Sequence, residues 1–212
     1  MVIQTFVFLD FEATGLPEKE LNRTKAIELT LLALSRCDIE NADGRSLPPL
    51  KKLSFRCNPQ RKISTEAATL TGLTNDLLSN EPIFKDKIKC INEFLDLPEP
   101  VCLVAHSGDI FDFRLLRAEY NDAGATLPSK LLCVDSKKAF QSLSHLGHFR
   151  VRSLALKNLY RTFVKKEPTE DHKSESDCLM LLECVIAKKD IFLKWADSNC
   201  RGVNGVIPLR GI

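Results

Sequence analysis

Four acids and one histidine have types and spacings that could do chemistry. Asp10 and Glu12 stand two residues apart in LDFEATG, so on a strand both side chains leave the same face, roughly 6.5 Å apart along the chain. Two like charges converging at a buried strand end are costly unless something neutralises them. A divalent cation is the usual solution for all-oxygen ligands, and Mg²⁺ in particular keeps waters and accepts phosphate oxygens. Asp112 follows the apolar run of LVAHSGDIFDF, where a helix begins, and in α/β sheets ligands collect beyond the carboxyl ends of strands. Asp109 lies close enough to compete for that place. His172 and Asp177 occur in DHKSESDCLMLL, at the entry to a helix whose buried side is set by Leu179, Leu182, Val185 and Ile186. Together these groups describe a solution to phosphodiester hydrolysis: two cations ~4 Å apart held by carboxylates, one activating water and one stabilising the leaving oxygen, with a histidine taking the proton of the water.

Each residue taken singly has a plainer role. Asp10 could cap the turn before Gly15 with Glu12 in a salt bridge, either Asp109 or Asp112 could cap the following helix, and Asp177 could answer a helix dipole with Ser174 as the cap. Spacing alone does not choose between Asp109 and Asp112. The assembly is more specific than its parts.

The elements that must position these groups can be read in order. Phe6 to Glu12 is apolar on both parities until Asp10, which predicts a central strand buried on both faces. Ala26 to Ser35 and Lys52 to Cys57 are further strands, separated by the turn-rich segment Asn41 to Pro49, so the first three strands form an antiparallel meander. Helices are predicted around Thr65 to Thr71 and from Pro82, at its first turn, to Asp96. Val101 to His106 is a short buried strand, Asp112 to Asn121 a helix closed by Gly124, and Lys130 to Asp135 another strand, which implies parallel strands with crossover helices. The remainder is helical, over Leu154 to Phe163, Glu175 to Lys188 and Ile191 to Cys200. The sum is an α/β layered domain with a mixed central sheet flanked by helices, the order of a ribonuclease-H-like fold, and 1–212 is read as one globular domain.

The chain has 212 residues, 44% hydrophobic, with a formal net charge of +2. Bulk charge therefore decides little, but its distribution is uneven: residues 136–166 contain no acid and eight Lys or Arg, a stretch suited either to polyanion contact or to a solvated face. The eight cysteines include no C-x-x-C pair and several lie in apolar runs, which fits reduced, buried thiols inside a cell. The N-terminal sequence lacks the features of a signal peptide, and no run approaches the ~18 apolar residues of a membrane span. A soluble protein of the nucleus or cytoplasm is expected.

FVFLDFEATGLP, ATLTGLT, LVAHSGDIFDFRLL, the VDS strand end and the H-x₄-D of 172–177 together resemble the DEDDh exonucleases and, within them, the three-prime repair exonucleases, over nearly the whole chain. The resemblance implies a 3′-to-5′ DNA exonuclease. Asp10, Glu12, Asp112 and Asp177 would hold two Mg²⁺ ions, for which Mn²⁺ can substitute, and His172 would act as general base. It places the family's F/Y-D-F triplet on Phe111, Asp112 and Phe113, which favours Asp112 over Asp109. It also implies that Ala13, Leu16, Pro17, Leu70, His106 and Phe111 line the pocket for 3′-terminal nucleotides, and that Arg150 and Arg152 form a basic DNA-contacting loop. A homodimer through the edge strand near 50–57 is implied as well. Ser107 stands where the family usually has Asn, the segment before Ser153 is shorter, and the proline-rich insertion and hydrophobic C-terminal tail of the membrane-anchored member are absent, so the chain resembles the shorter, soluble type. Rival expectations are an exoribonuclease of the same class, acting on RNA, and a non-catalytic nucleic-acid-binding module.

Overall fold

The structure, a computed structural model, describes residues 1–168 and 173–209; His172 lies outside the described residues. Strand β1 (Thr5–Ala13) is the axis of the fold. Antiparallel to it runs β2 (Ala26–Ser35), and β3 (Lys51–Arg56) pairs antiparallel with β2. On the other side lie β4 (Val101–Ala105) and β5 (Leu132–Asp135), parallel to β1, and the short β6 (Arg201–Gly202), antiparallel to β5. The sheet order is β3-β2-β1-β4-β5-β6. This is the mixed sheet expected, with a meander first and parallel strands after it.

One mismatch of length creates the site. β1 pairs with β2 along its whole length, but with β4 only from Thr5 to Phe8. Beyond Phe8 the β4 chain turns away, and residues 9–13 of β1 keep a sheet neighbour on one side only.

Parity divides the core. Val7, Leu9 and Phe11 face α4 (Phe84–Phe94) and α5 (Asp112–Asp122), packing with Phe84, Ile91, Phe113 and Tyr120. Phe6 and Phe8 face the opposite layer, built from α6 (Ser136–His145), α7 (Leu156–Phe163), α8 (Ser174–Ala187) and α9 (Lys189–Asn199), whose Phe140, Leu159, Leu181 and Phe192 fill it. Asp10 and Glu12 continue the even parity, so they lie on the α8 side. Short helices α1 (Arg36–Asn41), α2 (Thr65–Thr71) and α3 (Asn75–Leu78) complete the order.

Among the described residues, five elements were not expected, one of them a single 3-10 turn at Val203–Gly205. α1 occupies the end of β2's connection, α3 and β6 are too short for periodicity to reveal, and α6 is written in SKKAFQSLSH, where only Ala139, Phe140 and Leu143 carry the buried stripe. Pro82 also stands outside its helix. Ile83 is the N-cap of α4, and the Pro82 carbonyl instead accepts the Asn58 N–H at 3.0 Å. The cysteines are all free thiols: Cys57, Cys102, Cys133, Cys178 and Cys184 are buried as expected, while Cys37 and Cys90 are exposed. Among the described residues no helix is long and apolar enough to cross a membrane.

Candidate active site

Asp10 and Glu12 project from the unflanked end of β1, and α8, which packs across β1 and β2, brings Asp177 to them from its first turn. One carboxylate oxygen from each of Asp10, Glu12 and Asp177 can be chosen so that all lie within 4.8 Å of one another. Asp112 reaches the same place from the opposite layer. It is the first residue of α5, buried, and its carboxylate accepts its own backbone N–H and that of Phe11, in the stretch of β1 that has outrun β4.

Electrostatics show how unfavourable this cluster is by itself. Burial, then the charges of Asp112, Asp177, Glu12 and Glu28, push the Asp10 carboxyl well above the usual range. Burial and Asp177, Glu28 and Asp112 push Glu12 to about 8. Asp112 rises to about 7, because burial and the charges of Asp135 and Asp177 outweigh the two backbone hydrogen bonds. The donor set is oxygen only, and it is concentrated in one desolvated spot. Those are the requirements of a hard divalent cation such as Mg²⁺ or Mn²⁺. The residues fit the group.

The turn from β4 into α5 is held from below. Asp135, at the end of β5, accepts the N–H of Ser107 at 3.1 Å and of Asp109 at 3.2 Å, while also capping α6 through the Lys137 N–H at 2.9 Å. Gly108 is in contact with the buried ring of Phe113, and an added Cβ would lie 2.6 Å from it. His106 braces the start of the turn. Its Nε2–H donates to the Leu154 carbonyl at 2.8 Å, so its Nδ1 accepts from the Ser136 hydroxyl at 2.9 Å. Burial lowers the His106 pKa, in keeping with that neutral tautomer. Asp109 is spoken for: Lys138 and, at 2.6 Å, Arg201 pair with it, and together they outweigh burial to hold its pKa low. Geometry thus separates two acids that spacing could not.

Ser174 does not cap α8. It is the first helical residue, behind Lys173 at the N-cap position, and its hydroxyl turns back to the sheet, 3.0 Å from Glu28 and 2.8 Å from Thr30. Leu16 and Leu70 are apolar yet 51% and 55% exposed, on a turn and a helix tied together by the Ser64 N–H to Thr14 carbonyl bond of 2.8 Å. Ala13 is buried, and Pro17 and Phe111 are half-buried. Arg150 and Arg152 are exposed on the loop after α6, where Phe149 and Val151 alternate inward against the core. The acid-free stretch is not one solvated face, since Lys138, Arg161 and Lys166 pair with Asp109, Glu167 and Glu183.

Two residues beside the site carry no role in the sequence reading. Asp135 had a signal, an acid at the end of a buried strand directly before a helix. Glu28 had a weaker one, a charge interrupting the apolar strand AIELTLLALS; its position opposite Glu12 is a matter of register.

Known proteins resemble this chain over most of its length. The model of the family described as Exonuclease matches residues 7–185. Three-prime repair exonuclease 1 of Bos taurus is 34% identical over 225 residues, which cover 98% of this chain and 70% of the relative. Three prime repair exonuclease 2 of Homo sapiens is 34% identical over 221 residues, covering 97% of this chain and 92% of the relative. Among solved structures, E. coli exonuclease I in complex with a dT13 oligonucleotide superposes with a TM-score of 0.72 at 14% identity, covering 92% of this chain and 43% of that one; the likeness shows the ribonuclease-H-like fold, and this chain spans less than half of that larger protein. The family match over most of the chain and the near full-length identity show that the chain belongs to the exonuclease family and, within it, to the three-prime repair exonucleases.

Proposed function

We propose that this exonuclease removes nucleoside monophosphates from the 3′ ends of DNA, single-stranded or frayed, with Asp10, Glu12, Asp112 and Asp177 holding two Mg²⁺ ions and His172 as general base. The observation that carries the reading is the convergence of the Asp10, Glu12 and Asp177 carboxylates at the unflanked end of β1, with Asp112 near enough to raise the Asp10 carboxyl. When bound, the cations supply an activated water and stabilise the leaving oxygen.

The chain's own residues do the rest. β1 and α8 supply three ligands on rigid elements, and the braced turn after β4 supplies the fourth. Exposed Leu16 and Leu70, with Ala13, Pro17 and Phe111, offer apolar surface against which terminal bases stack without regard to sequence. His106 has both ring nitrogens engaged within the protein, so it serves the pocket as a brace for the turn. Arg150 and Arg152 meet the phosphates. DNA is favoured because relatives at 34% identity are named as repair exonucleases, and the solved complex holds a deoxyoligonucleotide.

A homodimer through β3 completes the proposal. β3 is an edge of the sheet, and two of the cations that would guard it are turned onto the chain's own acids, Lys52 to Glu175 and Arg56 to Glu28. The protein works inside the cell, where its thiols stay reduced.

The test is incubation of 5′-labelled single-stranded DNA and a matched RNA with protein and Mg²⁺, beside EDTA and Asp177→Ala controls. A metal-dependent ladder shortening from the 3′ end of DNA, lost in both controls, is expected. His172→Ala should keep a metal-dependent gain in melting temperature but lose turnover by ~10²- to 10⁴-fold. Digestion of RNA alone would move the assignment to an exoribonuclease, and intact substrates under Mg²⁺ and Mn²⁺ would leave a non-catalytic binding module.

A further inference from the structure

We propose that Glu28 is a positioning residue for the metal centre: reaching across from β2, it caps helix α8 in trans and so sets where Asp177 presents its carboxylate. The assignment rests on the reading of the acid cluster as a cation site.

The first backbone N–H groups of a helix have no intrahelical partner, and a side-chain acceptor at the N-cap usually meets one of them. In α8 the N-cap position is Lys173, and a lysine side chain carries donors only. The acceptor comes from the sheet instead. Oε2 of Glu28 accepts the Ser174 N–H at 3.3 Å and the Ser174 hydroxyl at 3.0 Å, although the two residues are 146 positions apart. A carboxylate at this place also answers the positive end of the helix dipole.

The contact extends into a directed chain. Ser174 Oγ lies 2.8 Å from Thr30 Oγ1, which lies 2.9 Å from Ser54 Oγ. Because the carboxylate only accepts, the Ser174 proton points to Glu28; Thr30 then donates to Ser174, and Ser54 to Thr30. Thr30 and Ser174 are fully buried, so the bond between them is sheltered from competition by water, and the bonds to Glu28 and Ser54 extend it toward the surface. Arg56 holds the other oxygen of Glu28 at 3.1 Å.

Strand register explains why the network sits here. On the α8 face the residues form rows across β1, β2 and β3: Phe8, Leu32, Lys52; then Asp10, Thr30, Ser54; then Glu12, Glu28, Arg56. The two rows that hold ligands are the two that continue as polar partners of Ser174. Asp177 follows Ser174 by less than one helical turn, so a shift of the Ser174 backbone carries the carboxylate with it. Glu28 itself stands beside the group of Asp10, Glu12 and Asp177 and adds to their repulsion. Its charge alone would work against the cluster; its hydrogen bonds organise it.

The experiment is calorimetric titration of Mn²⁺ into wild type, Glu28→Ala, Glu28→Gln and Ser174→Ala, with thermal unfolding confirming that each is folded. Loss of an outer partner of a ligand typically weakens a metal ~10- to 100-fold, so Glu28→Ala should raise the Mn²⁺ Kd by at least ~10-fold. Glu28→Gln keeps a carbonyl acceptor for both Ser174 bonds and should stay within about fivefold of wild type, its lost surface pair with Arg56 being weak. Ser174→Ala, which deletes one of the bonds, should fall between them, and it carries the test if Glu28→Ala does not fold. Wild-type affinity in Glu28→Ala or Ser174→Ala, or a loss in Glu28→Gln equal to that in Glu28→Ala, overturns the assignment while leaving the metal site intact. A wild type that binds no Mn²⁺ overturns the metal site first, and the assignment with it.

Discussion

Ser107 donates its backbone N–H to Asp135 Oδ1 at 3.1 Å from a left-handed conformation, φ 69°. That bond pins the turn from β4 so that five residues later Asp112 enters the acid cluster. A left-handed backbone costs an L-residue roughly 1–2 kcal/mol, and Asn tolerates it better than Ser does. Asn is therefore better suited than Ser to the backbone at this place.

Ser107→Asn should accordingly stabilise the protein by about 0.5–1 kcal/mol, a rise of a few degrees in melting temperature for a chain of this size. Differential scanning fluorimetry of the two proteins measures it. A lower melting temperature would mean that the serine hydroxyl makes a contribution larger than the backbone preference.

Gly108 is constrained by space. A Cβ there would stand 2.6 Å from the Phe113 ring and 2.8 Å from the Ala105 methyl, both side chains fully buried. Gly108→Ala should destabilise by about 1–3 kcal/mol, as overpacking does, and should weaken Mn²⁺ binding because Phe113 adjoins Asp112. Phe113→Leu should relieve part of the clash, so the double variant should lose less than the sum of the single losses. Strict additivity would show that the ring and the added methyl do not meet.

What the sequence makes legible here is what depends on near neighbours. The same-face placement of Asp10 and Glu12 follows from strand alternation, and the bounds of α2 are read correctly because both its signals are local: Ser64 caps it by accepting from the Ala67 N–H, and Gly72 ends it at φ 71°. Relations across the fold are hidden. Asp109 is withdrawn from the site by Arg201, 92 positions away, and no spacing rule could foresee that. The tie of Glu28 to Ser174 needs the register of β2 and the docking of α8 at once. α6 escaped because lysines and serines dilute its stripe, and the proposed role of His172 rests on the family motif, since that residue lies outside those the structure describes.

The raised pKa values make the metal-free protein sensitive to pH in a defined direction. Glu12 titrates at about 8 in the fold against 4.5 ordinarily, and Asp112 at about 7 against 3.8. Between the ordinary and the folded values the native state binds more protons than the unfolded chain, so stability falls as pH rises through this window. In EDTA the melting temperature should decline from pH 5 to pH 8, and Glu12→Gln should flatten the decline. With Mg²⁺ the gain in melting temperature should grow over the same window, since the cation binds the deprotonated cluster. A metal-free melting temperature that is level from pH 5 to 8, in wild type and Glu12→Gln alike, would mean that the acids do not share one desolvated site.

Arg150 and Arg152 are exposed on a loop whose alternate residues, Phe149 and Val151, anchor it to the core. The anchoring fixes the outward direction of both guanidinium groups, which suits a phosphate track and leaves the acid cluster untouched. If each neutralises one phosphate of a single strand, replacing both by Ala removes two released counterions and makes the slope of log K against log salt shallower by about 1.4. Binding would be measured by fluorescence anisotropy in an Asp177→Asn background, so that the oligonucleotide stays intact. Turnover at saturating substrate should stay close to that of the parent enzyme in the otherwise wild-type chain, because the role proposed for both arginines is phosphate contact. An unchanged salt slope would remove the loop from the DNA path. A fall in turnover at saturation with the slope intact would instead place the arginines in the chemistry of the site.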